Sequence, residues 1–227
     1  RAAGGGVVTW GAHVVDSIIA GAFCDAARSL AGLSWGNPAT RAEMAQRLAP
    51  KDRPDDALSM SAAQSNCAIA CCAALYETGI DGLVRGFRGK PVCDPLREPR
   101  VRRYDAVIYL GVLADQTGTK RAPCAGADLL PGSWLLIGGG EAEGGPAHVV
   151  MVVGVRDDGT LDTVEGGKLD PGNPRTGAEG CTAIKADRRE VVAGPGGSWW
   201  VQDVGGGSRR RRLIYWCWVG DLPTVPG

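Results

Sequence analysis

Histidine is the scarcest chemistry-bearing residue of this chain: two in 227 residues, His13 and His148. Any reaction that needs an imidazole must therefore use one of them. The chain also lacks a net charge, with 25 Lys and Arg against 25 Asp and Glu. That balance removes the electrostatic argument for nucleic acid, whose binding rests on neutralising phosphates. No apolar run reaches the roughly 18–20 residues that cross a bilayer. Aromatic residues are few (6%), yet hydrophobic residues make up 44%, enough for a sizeable core and too many for general disorder. A start at Arg1 rather than methionine points to an upstream piece, removed by processing or by design. Eight cysteines are too sparse for a small disulfide scaffold and do not fall at zinc-ligand spacings. Cys71 and Cys72 are adjacent and diverge on a helix, and Cys67 and Cys71 can share a face, but both histidines are distant. Neither metal nor cofactor is expected. Disulfides among Cys24, Cys93, Cys124, Cys181 and Cys217 stay open.

What is present divides the chain in two. From Ala12 to Leu33, apolar residues recur at helical spacing and end at the loop GLSWGNP. Ala39–Leu48 reads as a short helix before Pro50, Asn66–Glu77 as a third with Gly79 as its stop, and Tyr104–Leu113 as a fourth. The later half reads as strands: Gly132–Ile137, Ala147–Val155, Thr160–Glu165, Thr182–Val192, Trp199–Val204 and Arg212–Val219. Asp157-Asp-Gly159 is a tight-turn signal, so the second and third form a hairpin. The expectation is one α+β domain over residues 1–227, N-terminal helices packed on a C-terminal antiparallel sheet. Residues 1–60 form a helical extension, 61–167 carry the motifs and 168–227 supply the remaining strands.

The stretch Ser61–Gly79, SAAQSNCAIACCAALYETG, places three cysteines where a polar run becomes an apolar helix. Unpaired N–H groups and the positive end of the helix dipole favour a thiolate at a helix start. With Asn66 as N-cap, Cys67 is the first helical residue. Cys71 and Cys72 lie deeper, among Ala, Ile and Leu, and read as small core residues. A thiolate needs a base. His13, near the start of the first helix, reads as a surface or capping residue. His148 opens a strand of apolar residues, and the hairpin brings Glu165–Gly167 opposite it. A carboxylate at Glu165 can accept the imidazole N–H and stabilise the imidazolium. The expected set is Cys67 as nucleophile, His148 as general acid–base and Glu165 as its orienter.

In this order, a helix-start cysteine, the strand LLPGSWLLI and the hairpin AHVVMVVGVRDDGTLDTVEGG resemble the papain-like cysteine hydrolases of the NlpC/P60 and CHAP superfamily. The likeness covers roughly Ser61–Gly167. It departs at Ser133, where an aspartate is common, and at Gly166 and Gly167, where an asparagine is usual. What the resemblance implies is hydrolysis of an amide bond, usually in bacterial peptidoglycan, by an endopeptidase or an N-acetylmuramoyl-L-alanine amidase. The partner would be peptidoglycan or a muropeptide, with neither nucleic acid nor membrane. An effector of this kind would be secreted or periplasmic and opposed by an immunity or inhibitor protein. The oxyanion would be met by the Cys67 N–H and a second donor, with Gln64 and Asn66 as the nearby candidates. Two other functions stay open: a papain-like protease or acyltransferase on a substrate outside the cell wall, and a binding module without turnover.

Three further features have plain structural readings. Ser208–Arg212 (SRRRR) reads as a solvated loop, the tryptophans Trp199, Trp200, Trp216 and Trp218 as one buried aromatic cluster, and Asp157–Asp158 as a turn rather than a calcium site.

Overall fold

The computed structural model describes residues 10–48, 66–78, 103–138, 148–174, 181–206 and 210–222. Gln64, Cys93 and Arg209 lie outside them. Within the described residues, four helices precede six strands: α1 Trp10–Leu30, α2 Pro38–Leu48, α3 Cys67–Glu77, α4 Arg103–Thr117, then β1 Ser133–Ile137, β2 His148–Val155, β3 Leu161–Lys168, β4 Ala183–Ala193, β5 Trp199–Asp203 and β6 Arg211–Trp218. The chain is thus α+β, and each element lies within a few residues of where its pattern predicts it. His13 falls within α1.

The strands pair antiparallel in chain order, and the sheet closes into a barrel because β1 also pairs with β6, Ser133 opposite Trp218 and Trp134 opposite Cys217. Side chains alternate between the two faces. Leu135, Ile137, Val150, Val152, Leu161, Val201, Leu213 and Trp216 fill the interior with Leu129. Trp134, Leu136, Val149, Met151, Val153, Val164 and Ile184 point outward and bury α1, α3 and α4. Such two-sided burial explains why β1 and β2 read as nearly continuous apolar runs.

Helix α3 is the central one. Every residue from Cys67 to Leu75 is buried. A helix that is apolar on all sides belongs inside a fold, and its alanines and cysteines are small enough to let α1, α4 and the barrel approach together. Asp158 closes the β2–β3 turn by accepting from the Thr160 N–H at 2.9 Å and its hydroxyl at 2.6 Å. Trp216 is buried, Trp199 and Trp218 pack against the barrel interior, and Trp200 lies under the Arg210 guanidinium. None of the described helices is long and apolar enough to cross a membrane.

Candidate active site

The site forms where the start of α3 meets the open end of the β2–β3 hairpin. Asn66 occupies the N-cap position, but its side chain makes no cap bond. Its Oδ1 instead accepts the Gly167 N–H at 2.5 Å and its Nδ2 donates to the Thr182 carbonyl at 2.9 Å, with the residue fully buried. The expected cap bond is thus absent: Asn66 holds the N-cap position, and its side chain ties the Cys67 helix to β3 and to the residue preceding β4.

Gly166 permits this tie. A Cβ there would stand 2.6 Å from Asn66 Oδ1 and 2.8 Å from its carbonyl oxygen. Gly167 follows in the left-handed region, φ 72°, where a glycine is favoured. Both glycines are therefore occupied with packing the start of α3.

Met151 pairs with Val164 and Val152 with Thr163. Continuing that register sets His148 and Glu165 on one face, a diagonal step apart. Their side chains meet: His148 Nε2 lies 2.9 Å from Glu165 Oε2. With Nε2 so engaged, Nδ1 is the ring nitrogen left for the thiol, and the imidazole is coupled to Cys67 by a hydrogen bond and by charge. Cys67 is itself buried. The three residues come together at one point.

Burial pushes the His148 imidazole down, but the charge and hydrogen bond of Cys67, joined by those of Glu165, outweigh it and raise it from 6.5 to about 9. Glu165 shows the converse balance. Burial favours its neutral form, yet hydrogen bonds from His148 and Arg189, with the His148 and Lys168 charges, hold it far below the ordinary carboxylate range. The residue is 1% exposed and remains ionised because it is saturated with donors.

Those donors include residues that motif reading missed. Arg189 grips Glu165 in a two-pronged fork, Nε to Oε1 at 2.6 Å and Nη2 to Oε2 at 3.1 Å. Lys168 Nζ lies 2.9 Å from Glu165 Oε2 and 2.9 Å from Asp187 Oδ2. Arg189 is held from behind by Asp203 and by Asp187, and Thr163 donates to Oε1 at 3.2 Å. The signal was present in β4, whose Lys185, Asp187 and Arg189 fall at alternate positions opposite Glu165, Thr163 and Leu161.

A second polar cluster braces the site. The buried Asp170 carboxylate accepts from the Ser34 hydroxyl (2.7 Å), the Gly36 N–H (2.9 Å) and the Thr182 hydroxyl (2.7 Å). Thr182 also carries the carbonyl that receives Asn66. The α1–α2 loop is thus joined through Asp170, Thr182 and Asn66 to Cys67.

The other thiols have a different chemistry. Cys71 is fully buried, and desolvation raises it well above an ordinary thiol. Cys217 is pushed up to about 12 by burial, and burial raises Cys24 and Cys124 as well. The seven described cysteines are all free thiols. Among the described residues, no three His, Cys, Asp or Glu side chains converge as a metal site would require.

No family model, curated protein or solved structure matches this chain.

Proposed function

We propose that this protein is a papain-like cysteine hydrolase of the NlpC/P60 and CHAP type that cleaves an amide bond of bacterial peptidoglycan, as an endopeptidase or an N-acetylmuramoyl-L-alanine amidase. One observation carries the reading: an imidazole only 13% exposed is held on Nε2 by an ionised carboxylate and is coupled to a helix-start thiol. The chemistry follows from that arrangement. The Cys67 thiolate attacks the amide carbonyl carbon, and the C=O electron pair moves to oxygen. The Cys67 N–H and a second donor, with Gln64 the candidate, stabilise the oxyanion. On collapse the C–N bond breaks, His148 hands its proton to the departing amine, and an acyl-thioenzyme remains. Water then loses a proton to His148 and attacks the thioester. Breaking the C–S bond releases the acid and restores the thiolate–imidazolium pair. Glu165 holds the ring orientation throughout.

The substrate class rests on the likeness of Ser61–Gly167 to that superfamily, as does a secreted or periplasmic setting with a dedicated inhibitor protein. The test is mass spectrometry of purified muropeptides incubated with the wild type and with Cys67→Ala. The wild type should release a new amine and a new carboxylate from one bond, and the variant should release neither. Cleavage that persists in Cys67→Ala would exclude the mechanism, and intact muropeptides with the wild type would exclude the substrate.

A further inference from the structure

Glu165 carries more positive charge than an orienting carboxylate needs. Its two oxygens receive the Arg189 fork, the Lys168 ammonium, the Thr163 hydroxyl and the His148 ring. Arg189 is only 14% exposed, and Lys168 19%. These are enclosed interactions, where charge acts more strongly than at an open surface. A guanidinium fork matches a carboxylate in plane and spacing, which an ammonium does not.

The charges around the imidazole form a closed set. Glu165, Asp187 and Asp203 carry three negative charges, and Arg189 and Lys168 two positive ones. The difference is one negative charge, which the imidazolium of His148 neutralises, leaving the Cys67 thiolate as the remaining charge facing the ring. Without Arg189, Glu165 would stabilise the imidazolium more strongly, so Nδ1 would keep more tightly the proton that must pass to the leaving amine. Excess stabilisation of the acid form slows the step in which it acts as an acid.

We propose that Arg189 is a positioning residue that fixes the Glu165 carboxylate plane against His148 and limits how strongly Glu165 stabilises the imidazolium, and so how tightly Nδ1 keeps the proton it donates. The inference rests on the cysteine hydrolase reading, because it assigns His148 a proton to donate. It makes the fork as necessary as the carboxylate, and gives β4 a part in the reaction.

The experiment is a pH titration of the ultraviolet thiolate absorbance in wild type, Arg189→Gln and Arg189→Lys. Each is taken as the difference from its Cys67→Ala counterpart, and turnover is measured over the same range. The absorbance needs no substrate, so it separates the two layers of the argument. A wild type with no Cys67 thiolate signal below pH about 8, where ordinary thiols stay protonated, defeats the hydrolase reading itself. With that signal present, Arg189→Gln should move the alkaline limb of turnover up by about one pH unit, the size expected for one enclosed charge. Its maximal turnover should fall about tenfold. A limb that stays in place or moves down overturns the inference. Arg189→Lys keeps the charge but lacks the fork, so its limb should stay near that of the wild type while turnover falls severalfold. If Arg189→Gln does not fold, Arg189→Lys decides alone: wild-type turnover refutes the positioning role.

Discussion

Gly166→Ala is the substitution most revealing of how this fold builds its site. The new methyl would stand 2.6 Å from Asn66 Oδ1, 2.8 Å from Asn66 O and 2.9 Å from its carbonyl carbon, against ordinary contacts that begin near 3.4 Å. Asn66 has little room to withdraw. Its Oδ1 and Nδ2 are bonded to Gly167 and Thr182, and its carbonyl accepts the Ala70 N–H at 2.8 Å as the first bond of α3. The strain must therefore move the start of α3 away from β3 by about 0.5–0.8 Å, carrying Cys67 from His148, at a cost of about 1–3 kcal/mol. A misplacement of about 1 Å costs roughly a hundredfold in rate, so this one predicts a loss of about 10- to 40-fold. The assay pairs muropeptide turnover with denaturant unfolding. Gly21→Ala is the control, because its Cβ meets nothing and should stabilise α1 by about 0.5–1 kcal/mol. A Gly166→Ala protein with wild-type turnover and stability would refute the claim that close approach at this glycine sets the thiol–imidazole distance.

Three other predictions concern the charges around the site. Glu165→Gln removes the anion facing the imidazolium, and turnover should fall about 10²- to 10³-fold with substrate affinity little changed; equal loss in both would contradict an orienting role. Stability should depend on pH with a defined sign. The raised His148 contributes stability that is complete below about 6.5 and lost as pH rises through about 9, worth about 3 kcal/mol for that shift. The lowered Glu165 contributes above about 4.5 and loses its part as pH falls towards its folded value. Above 6.5 the loss from His148 is offset by Cys67, which binds no proton as a folded thiolate while the unfolded thiol keeps one, so stability should stay level from about pH 6.5 to 8.5 and fall as pH rises through about 9; a steady fall beginning at 6.5 would show that Cys67 stays protonated in the fold. Asp170→Asn turns one acceptor into a donor facing Ser34, or Gly36 and Thr182. It should cost about 1–3 kcal/mol, and a variant of unchanged midpoint would show that the brace is not structural.

What the sequence discloses follows the range of the interactions involved. The 3.6-residue recurrence of Val14, Val15, Ile18, Ile19, Ala22 and Phe23 announces α1, because a helix is held by contacts within one or two turns. The β2–β3 hairpin is equally legible. Its turn, Asp157-Asp-Gly, is local chemistry, and period-two logic then carries His148 and Glu165 to one face. The closing of the sheet is a different matter. It depends on Ser133–Ile137 meeting Leu213–Trp218, about 80 residues away, and on a twist that no single strand displays. VEGGK reads as a strand ending at Glu165, yet the strand continues across an irregularity to pair Lys168 with Ala183.

The site shows the same division. Cys67 can be chosen over Cys71 and Cys72 because position along a helix is local. The part played by Asn66 could not, since an N-cap preference is a local statistic and the tie to Gly167 and Thr182 is a tertiary fact. Arg189 was hidden in ADRRE, where two adjacent arginines look alike until strand pairing, Leu161 opposite Arg189 and Asp162 opposite Arg188, sets Arg189 on the face of Glu165.

The central claim, a thiolate at Cys67 sustained by His148, is tested most directly by the alkylation rate of each cysteine as a function of pH, read by peptide mass spectrometry in wild type and His148→Ala. Cys67 should be modified first, and already at about pH 5–6, where an ordinary thiol is almost wholly protonated. The advantage should vanish in His148→Ala. A Cys67 no faster than the partly exposed Cys124 and Cys181, or one indifferent to the loss of His148, would contradict the account.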